Sequence, residues 1–337
     1  MKNLSKETYI EKAINILEFT KKQVVRNINR VMVISYFKIG KIIIEEEQGG
    51  KQRAEYSKKT IEKLSKKLTE EYGKGFSIRN LEQMRKFYLV YSKTQTLSAE
   101  LQHPDFQLGW SHYLILMRIK KETERKFYEI ESKTNNWSVR ELKRQFDSAL
   151  YERLVLSRDK EGIKELSEKG QIINNPKDAI KDPYILEFLG IEEQTRYSES
   201  ELEKAIINKI EHFLLELGKG FAFVARQKRI SFEERHFFID LVFYNRLLRC
   251  FLLIDLKIGD LKHQDIGQMQ MYVNFYDREM KLDDENNTIG LILCKEKSDL
   301  LVEYTLPKSN KQIFASKYET VLPSKKELQL LLKEKNK

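Results

Sequence analysis

Cysteine is nearly missing from this chain: Cys250 and Cys294 are the only two among 337 residues. So small a number excludes a disulfide-stapled extracellular module and a cysteine-rich zinc site. Both lie in apolar runs and read as reduced core residues. The five histidines, at 103, 112, 212, 236 and 263, show no zinc-ligand spacing. No run of 18 or more apolar residues occurs, so no membrane-spanning helix is expected. The opening MKNLSKETYIEKA is charged and lacks the apolar stretch of a secretion signal, which points to the cytoplasm. Internal repeats and low-complexity tracts are missing too.

What is present is length and positive charge. A chain of this length suits two domains, each able to bury its own core. The net charge of +10 is unevenly spread: residues 1–170 hold 35 Lys and Arg against 24 Asp and Glu, and the remainder is close to balance. A basic half is what a polyanion-binding module shows. Lys and Glu decorating the helices of a Lys-rich proteome would give the same excess.

The most informative stretch runs from residue 236 to 277, HFFIDLVFYNRLLRCFLLIDLKIGDLKHQDIGQMQMYVNFYD. It reads as strand, tight turn, strand, loop and helix. The two apolar runs suit strands buried on both faces, yet they carry Asp240, Asp255 and Lys257. Burying an unpaired carboxylate is costly, so such groups need partners or a metal ion. Asp255 and Lys257 are two apart and share a strand face. If the chain turns at Leu247 and Leu248, Asp240 comes to lie roughly opposite Asp255. Two carboxylates and an ammonium then converge, an arrangement suited to Mg²⁺, which keeps several waters. A buried Asp240–Lys257 salt bridge with no chemistry is the competing reading.

These residues resemble the PD-(D/E)XK nuclease signature: Asp240, then Asp255-Leu256-Lys257 after a hairpin. Gln268-Met269-Gln270-Met271-Tyr272 is similar to the Q-x-x-x-Y of RecB-type members. The phrases FLLELGKGFAFVARQ, FYNRLLRC, LKIGDLKHQDIGQMQMY and KDPYILEFLG resemble the YhcG-type nucleases, and the likeness covers nearly the whole chain. Ile239 stands where the superfamily loosely keeps a proline before Asp240. The resemblance implies an α/β C-terminal domain with a mixed sheet flanked by helices. It also implies an all-α N-terminal domain in a helix-turn-helix or winged-helix arrangement. The implied activity is metal-dependent hydrolysis of phosphodiesters, in DNA before RNA, in repair, recombination or defence against foreign DNA in bacteria. Asp240 and Asp255 would hold Mg²⁺ or Mn²⁺, the Leu256 carbonyl would complete the set, and Lys257 would assist the attacking water. Gln268 and Tyr272, one helical turn apart, would reach the site edge; Tyr272 is equally suited to packing. A DNA-binding adaptor that keeps the fold without turnover is the alternative. Dimerisation is expected, since cutting both strands takes two sites.

The remaining expectations follow the chain. Residues 5–47 form two helices or one broken one, with an apolar stripe at Ile10, Ala13, Ile14, Leu17, Val24 and Ile28. Ser77 caps a helix whose inward face is Ile78, Leu81, Met84, Tyr88 and Tyr91. Its other face, Arg79, Asn80, Gln83 and Lys86, has the residue types of a DNA recognition helix, and equally those of an ordinary surface helix. Trp110 and Trp137 anchor helix packing. The expected domains are 1–156, basic and helical; 157–196, a connector; and 197–337, the nuclease domain. A helix capped by Ser200 or Ser198 and ending at Gly218 carries Glu203 on an apolar stripe of Ile207, Ile210, Leu214 and Leu217. That makes Glu203 the candidate third metal carboxylate, with Glu199 and Glu211 as rivals, unless it merely favours the helix dipole. Arg226 and Gln227, on the next strand, are candidates for phosphate contact, or for solubility on an edge strand.

Overall fold

The computed structural model describes residues 9–49, 54–92, 105–156, 160–191 and 196–322. The basic helix expected at 325–337, and most of the loop from residue 94 with its Pro104, lie outside these. The chain divides into two compact units, Met1–Leu142 and Lys143–Lys337.

The first unit is helical. It holds α1 (Tyr9–Gly49), α2 (Ala54–Tyr72), α3 (Ile78–Tyr91), α4 (Trp110–Leu116) and α5 (Glu122–Thr134), and the division falls inside α6 (Val139–Asp147). α1 is one unbroken helix of 41 residues. Val33, Phe37, Ile43 and Ile44 from α1 are buried, as are Leu81, Met84, Phe87 and Tyr91 from α3. Gly40 sets how closely these helices pack: a Cβ there would stand 2.1 Å from the Met84 carbonyl oxygen, so any larger residue forces the backbones apart. Ser77 caps α3, accepting from the Asn80 amide at 3.3 Å. The inward face of α3 differs from the expected one. Phe87 is buried where Tyr88 was expected, and Ile78 is exposed. Trp110 packs edge-on against Tyr36 and Phe87, as a packing anchor does. The stripe at Ile10, Ala13, Ile14, Leu17, Val24 and Ile28 is exposed rather than core.

The second unit continues with α7 (Leu150–Leu156), α8 (Lys160–Lys169) and α9 (Pro176–Ala179). Its strands are β1 (Tyr184–Ile185), β2 (Phe221–Phe232), β3 (Arg235–Asn245), β4 (Cys250–Asp260), β5 (Ile289–Glu296) and β6 (Ile313–Glu319). They form one mixed sheet in the order β1-β6-β5-β4-β3-β2. β2, β3 and β4 pair antiparallel, whereas β4, β5, β6 and β1 run parallel. Tyr184 and Ile185, within the segment expected as a connector, supply the edge strand β1.

Helices cover both faces. α10 (Glu199–Asn208) and α11 (Ile210–Leu217) bury Leu202, Ile206, Phe213 and Leu217 against Leu241, Phe243, Leu252, Ile254 and Leu256. Each such side chain, fully buried, contributes about 1.5–3 kcal/mol. The single helix expected here breaks at Lys209 (φ −127°, ψ 36°), which leaves Ile207, Ile210 and Leu214 half-buried at the edge of the core while Ile206, Phe213 and Leu217 fill it. On the other face, α12 (His263–Phe275) packs Ile266, Met269, Tyr272 and Val273 on Val242, Leu253 and Ile292. Gly290 brings it close: a Cβ there would meet Met269 at 2.6 Å. α13 (Asp299–Thr305) follows β5.

A charged cluster lies inside the second unit. Glu216 of α11 is wholly buried and pairs with the equally buried Arg153 guanidinium. Arg144 reaches it at 3.4 Å, the Ile185 amide donates to it at 3.0 Å, and the Lys181 ammonium donates to its carbonyl. Burial pushes the Glu216 carboxyl up, but Arg153, then Lys181 and Arg144, outweigh it and bring it down to about 2.

Candidate active site

The site forms where β3 and β4 part. Asn245 pairs with Cys250, and the register runs without slippage to Leu241 opposite Ile254, where the ladder ends. One step further stand Asp240 and Asp255, facing each other as the turn around Leu247 and Leu248 requires. β4 meanwhile stays bonded to β5 through Asp255, Leu256 and Lys257. The separation frees the Leu256 N–H on its β3 side, and Asp240 Oδ2 accepts from it at 2.8 Å. A carboxylate thus replaces a missing strand-to-strand bond at the fork.

Asp255 is 3% exposed. It shares the α12 face with Lys257, whose Nζ lies 2.8 Å from Asp255 Oδ2. The contact is a short ion pair. Glu199 at the start of α10 adds a second, longer contact to Lys257 at 3.9 Å. Burial drives the Asp255 carboxyl well above the usual carboxylate range. Lys257 opposes the shift, and Asp240 and Glu199 add to it. Burial works against the Lys257 ammonium, but Asp255 foremost, then Glu199 and Asp240, raise its pKa overall.

Gln227 joins this group. The pairs Arg226–Leu241 and Lys228–Ile239 set it opposite Asp240, beyond a bulge at Val224. Its φ of 44° is a left-handed conformation uncommon for a residue with a side chain. Its Nε2 donates to Glu203 Oε2 at 2.7 Å and to Asp240 Oδ1 at 2.9 Å. Glu203 is 6% exposed, and its carboxyl is raised by burial, against the Gln227 bond, with Asp240 adding to the rise. Glu211 lies on α11, where its neighbour is His212.

Gln268 on α12 donates to the Tyr272 hydroxyl, which donates to the Phe238 carbonyl at 3.0 Å. Tyr272 is fully buried, and Asp255 and Asp240 are close enough to raise its pKa, after the larger effect of burial and against the Gln268 bond. The structure therefore gathers Glu203, Gln227, Asp240, Asp255, Lys257, Gln268 and Tyr272 around one fork. Arg226 lies nearby, exposed on β2, with its charge felt at Glu203.

The α3 candidates lie in the other unit. Arg79 and Lys86 are exposed and Gln83 half-buried. Asn80 has its amide engaged, donating to the Gly75 carbonyl and accepting from Trp110 Nε1 at 3.1 Å.

Among the described residues, no three His, Cys, Asp or Glu side chains stand ready to enclose an ion. The fork nonetheless fits a hard divalent cation. Its donors are carboxylate oxygens, and the buried Asp255 Oδ2 has only the Lys257 ammonium against it. Mg²⁺ asks for only one or two carboxylates beside its waters.

Comparison with known proteins identifies the family. Residues 177–333 match the YhcG PDDEXK nuclease domain, and residues 12–153 match the DUF1016 N-terminal domain. The chain is 40% identical over 340 residues to the "Putative nuclease YhcG" of Escherichia coli (strain K12), spanning 94% of this chain and 90% of that protein. This chain belongs to the YhcG family. The YhcG fold is therefore a PD-(D/E)XK nuclease domain following a helical N-terminal region. Solved structures similar in part include a repair endonuclease from Pyrococcus abyssi (16% identity, 40% of this chain and 50% of that one, TM-score 0.26). The EndoMS–dsDNA2 complex is similar at 15% identity, 40% of this chain and 51% of that one, TM-score 0.27. Each spans about half of the solved chain, and likeness this faint adds no argument. Among the described residues, no helix is long and apolar enough to cross a membrane.

Proposed function

We propose that this chain is a metal-dependent nuclease that hydrolyses phosphodiester bonds in DNA. The observation that carries the reading is the facing pair of Asp240 and Asp255 at the fork of β3 and β4, with Lys257 against Asp255. Asp240 and Asp255 would hold Mg²⁺ or Mn²⁺ together with the Leu256 carbonyl, and Glu203 would join once the Gln227 amide releases it. A divalent ion there supplies charge for the phosphate and lowers the pKa of a bound water. Lys257 keeps its proton, so it orients the attacking water by donating to it and meets the charge that grows on the phosphate. Tyr272 and Gln268, bonded to each other and to β3, hold α12 against the fork and line its edge.

The helical first unit would dock nucleic acid and the second, which takes in the segment 157–196 through its edge strand β1, would cut, in the cytoplasm. Arg79, Gln83 and Lys86 on α3 would meet DNA as in a helix-turn-helix, with Asn80 holding the helix start in place. Arg226 would meet a phosphate near the fork.

The test is to incubate the pure protein with linear, circular, branched and single-stranded DNA, and with matched RNA, plus Mg²⁺ or Mn²⁺. The expected result is ion-dependent cleavage of DNA, abolished in Asp255→Asn. DNA binding without cleavage, unchanged in that variant, would instead establish the adaptor reading, and preferential cutting of RNA would replace the substrate.

A further inference from the structure

α1 contains more apolar surface than the first unit uses. From Val33 onward it is anchored by Val33, Phe37, Ile43 and Ile44. Before that, Ile10, Ile14, Leu17, Val24, Ile28 and Val31 are each between 50% and 69% exposed. Their spacing alternates four and three residues through positions 10, 14, 17, 21, 24, 28 and 31. That is a period of 3.5 held over three heptads, the seam of a left-handed coiled coil. Only Lys21 departs from it.

We infer that residues 10–31 pair with the same segment of a second copy of this chain in a two-stranded coiled coil. Three considerations choose this occupant. First, Ile14, Lys21 and Ile28 fall on one of the two core positions of the repeat, and Ile10, Leu17, Val24 and Val31 on the other. A single Lys in the core restricts strand number and register, because its ammonium must reach water from beside the seam. Second, six half-exposed apolar side chains from each of two copies amount to on the order of 1,000 Å² of surface, where specific interfaces begin. Val25, also exposed, lies beside the seam and adds to it, whereas the exposed Ile16 and Phe19 face away from it. Third, Val24, Val25, Ile28 and Val31 are β-branched and weak helix formers, so propensity alone does not sustain this half of α1. Lone helices are marginal in water, and a partner strand supplies what is missing. A bilayer is a poor alternative, since Lys12, Asn15, Gln23, Asn29 and Arg30 put charged and polar groups on the outer face around Ile16 and Phe19. The inference stands apart from the nuclease reading and survives if the fork proves inactive.

Sedimentation velocity on the full chain tests it. The wild type should sediment as a dimer at micromolar concentration. Leu17→Asp with Ile28→Asp should give a monomer that loses helix signal in far-UV circular dichroism for this segment only and still folds, because both positions are exposed in the single chain. Leu17→Asn alone, a milder change, should weaken association about tenfold or more. Lys21→Leu should tighten association or raise the strand number. Removal of residues 323–337 should leave the dimer intact. A monomeric wild type, a double variant that still dimerises, or a dimer lost on removing residues 323–337 would overturn the inference.

Discussion

The second unit buries charge in two places, and the two are opposite in kind. Around Glu216, three cations and an amide surround one carboxylate, and its pKa falls to about 2. Around Asp255, one ammonium faces that carboxylate with Asp240 and Glu199 adding negative charge, and the pKa of Asp255 rises. Both carboxylates are almost completely out of water. The difference lies in the supply of positive charge. The first cluster is neutralised by the chain itself and cross-links α6, α7, α11 and β1. The second is left with excess negative charge at an open fork, where a cation from solution can complete it.

The sharpest way to break this contrast is to neutralise each carboxylate in turn. Asp255→Asn should lower the cleavage rate by about 10³-fold or more, as expected when an ion-binding, charge-stabilising group is lost. It should leave the unfolding temperature unchanged or higher, since it removes an under-compensated buried charge. A large loss of stability would show that the fork is structural.

Arg153→Met should do the reverse. Breaking a buried pair strands the remaining charge, and about 3–5 kcal/mol of stability should go in urea denaturation. A loss below about 1 kcal/mol would mean that the Glu216 cluster does not hold the unit together.

Acid separates the two clusters further. The folded-state pKa of Glu216 is depressed, so its contribution is complete above the usual value of 4.5 and disappears as pH falls toward about 2. On the order of 3 kcal/mol should be lost across that window. Glu216→Gln should flatten this limb of the stability curve while lowering stability at neutral pH.

The smallest effect concerns the ion. Asp255 prefers its proton in the folded state, so the ion-free protein loses stability as pH rises from the usual carboxylate value toward the raised one. A cation takes the proton's place. Millimolar Mn²⁺ should therefore raise the unfolding temperature more at pH 8 than at pH 5, by an equivalent of about 1–3 kcal/mol. Asp240→Asn and Asp255→Asn should each remove the effect.

The central geometry is legible in the sequence. Strand periodicity and a turn between Asn245 and Cys250 fix the register, and that register brings Asp240 to Asp255. The core face of α12 was legible for the same reason, through helical spacing at Ile266, Met269, Tyr272 and Val273. What was hidden depends on irregularity. Gln227 reads as a polar strand residue beside Arg226; only the bulge at Val224 and the left-handed backbone aim it at Glu203 and Asp240. The break at Lys209 turns α11, so the stripe that points to Glu203 is only partly buried: Leu217 is in the core, and Ile207, Ile210 and Leu214 pack half-buried against it. The exposed stripe of α1 could not be distinguished from a core stripe, because spacing gives a face and not its partner. Glu216 and Arg153 gave no local signal, lying 63 residues apart.

Asp240 also stands in for a backbone group, since its carboxylate caps the Leu256 amide where β3 turns away. Substitution there therefore carries a second penalty that Asp255 does not share. Asparagine can still accept that N–H, whereas alanine orphans it, so a saturation library should tolerate fewer residues at 240 than at 255. That narrowness would be architectural in origin, and a folding screen with no substrate present would already reveal it.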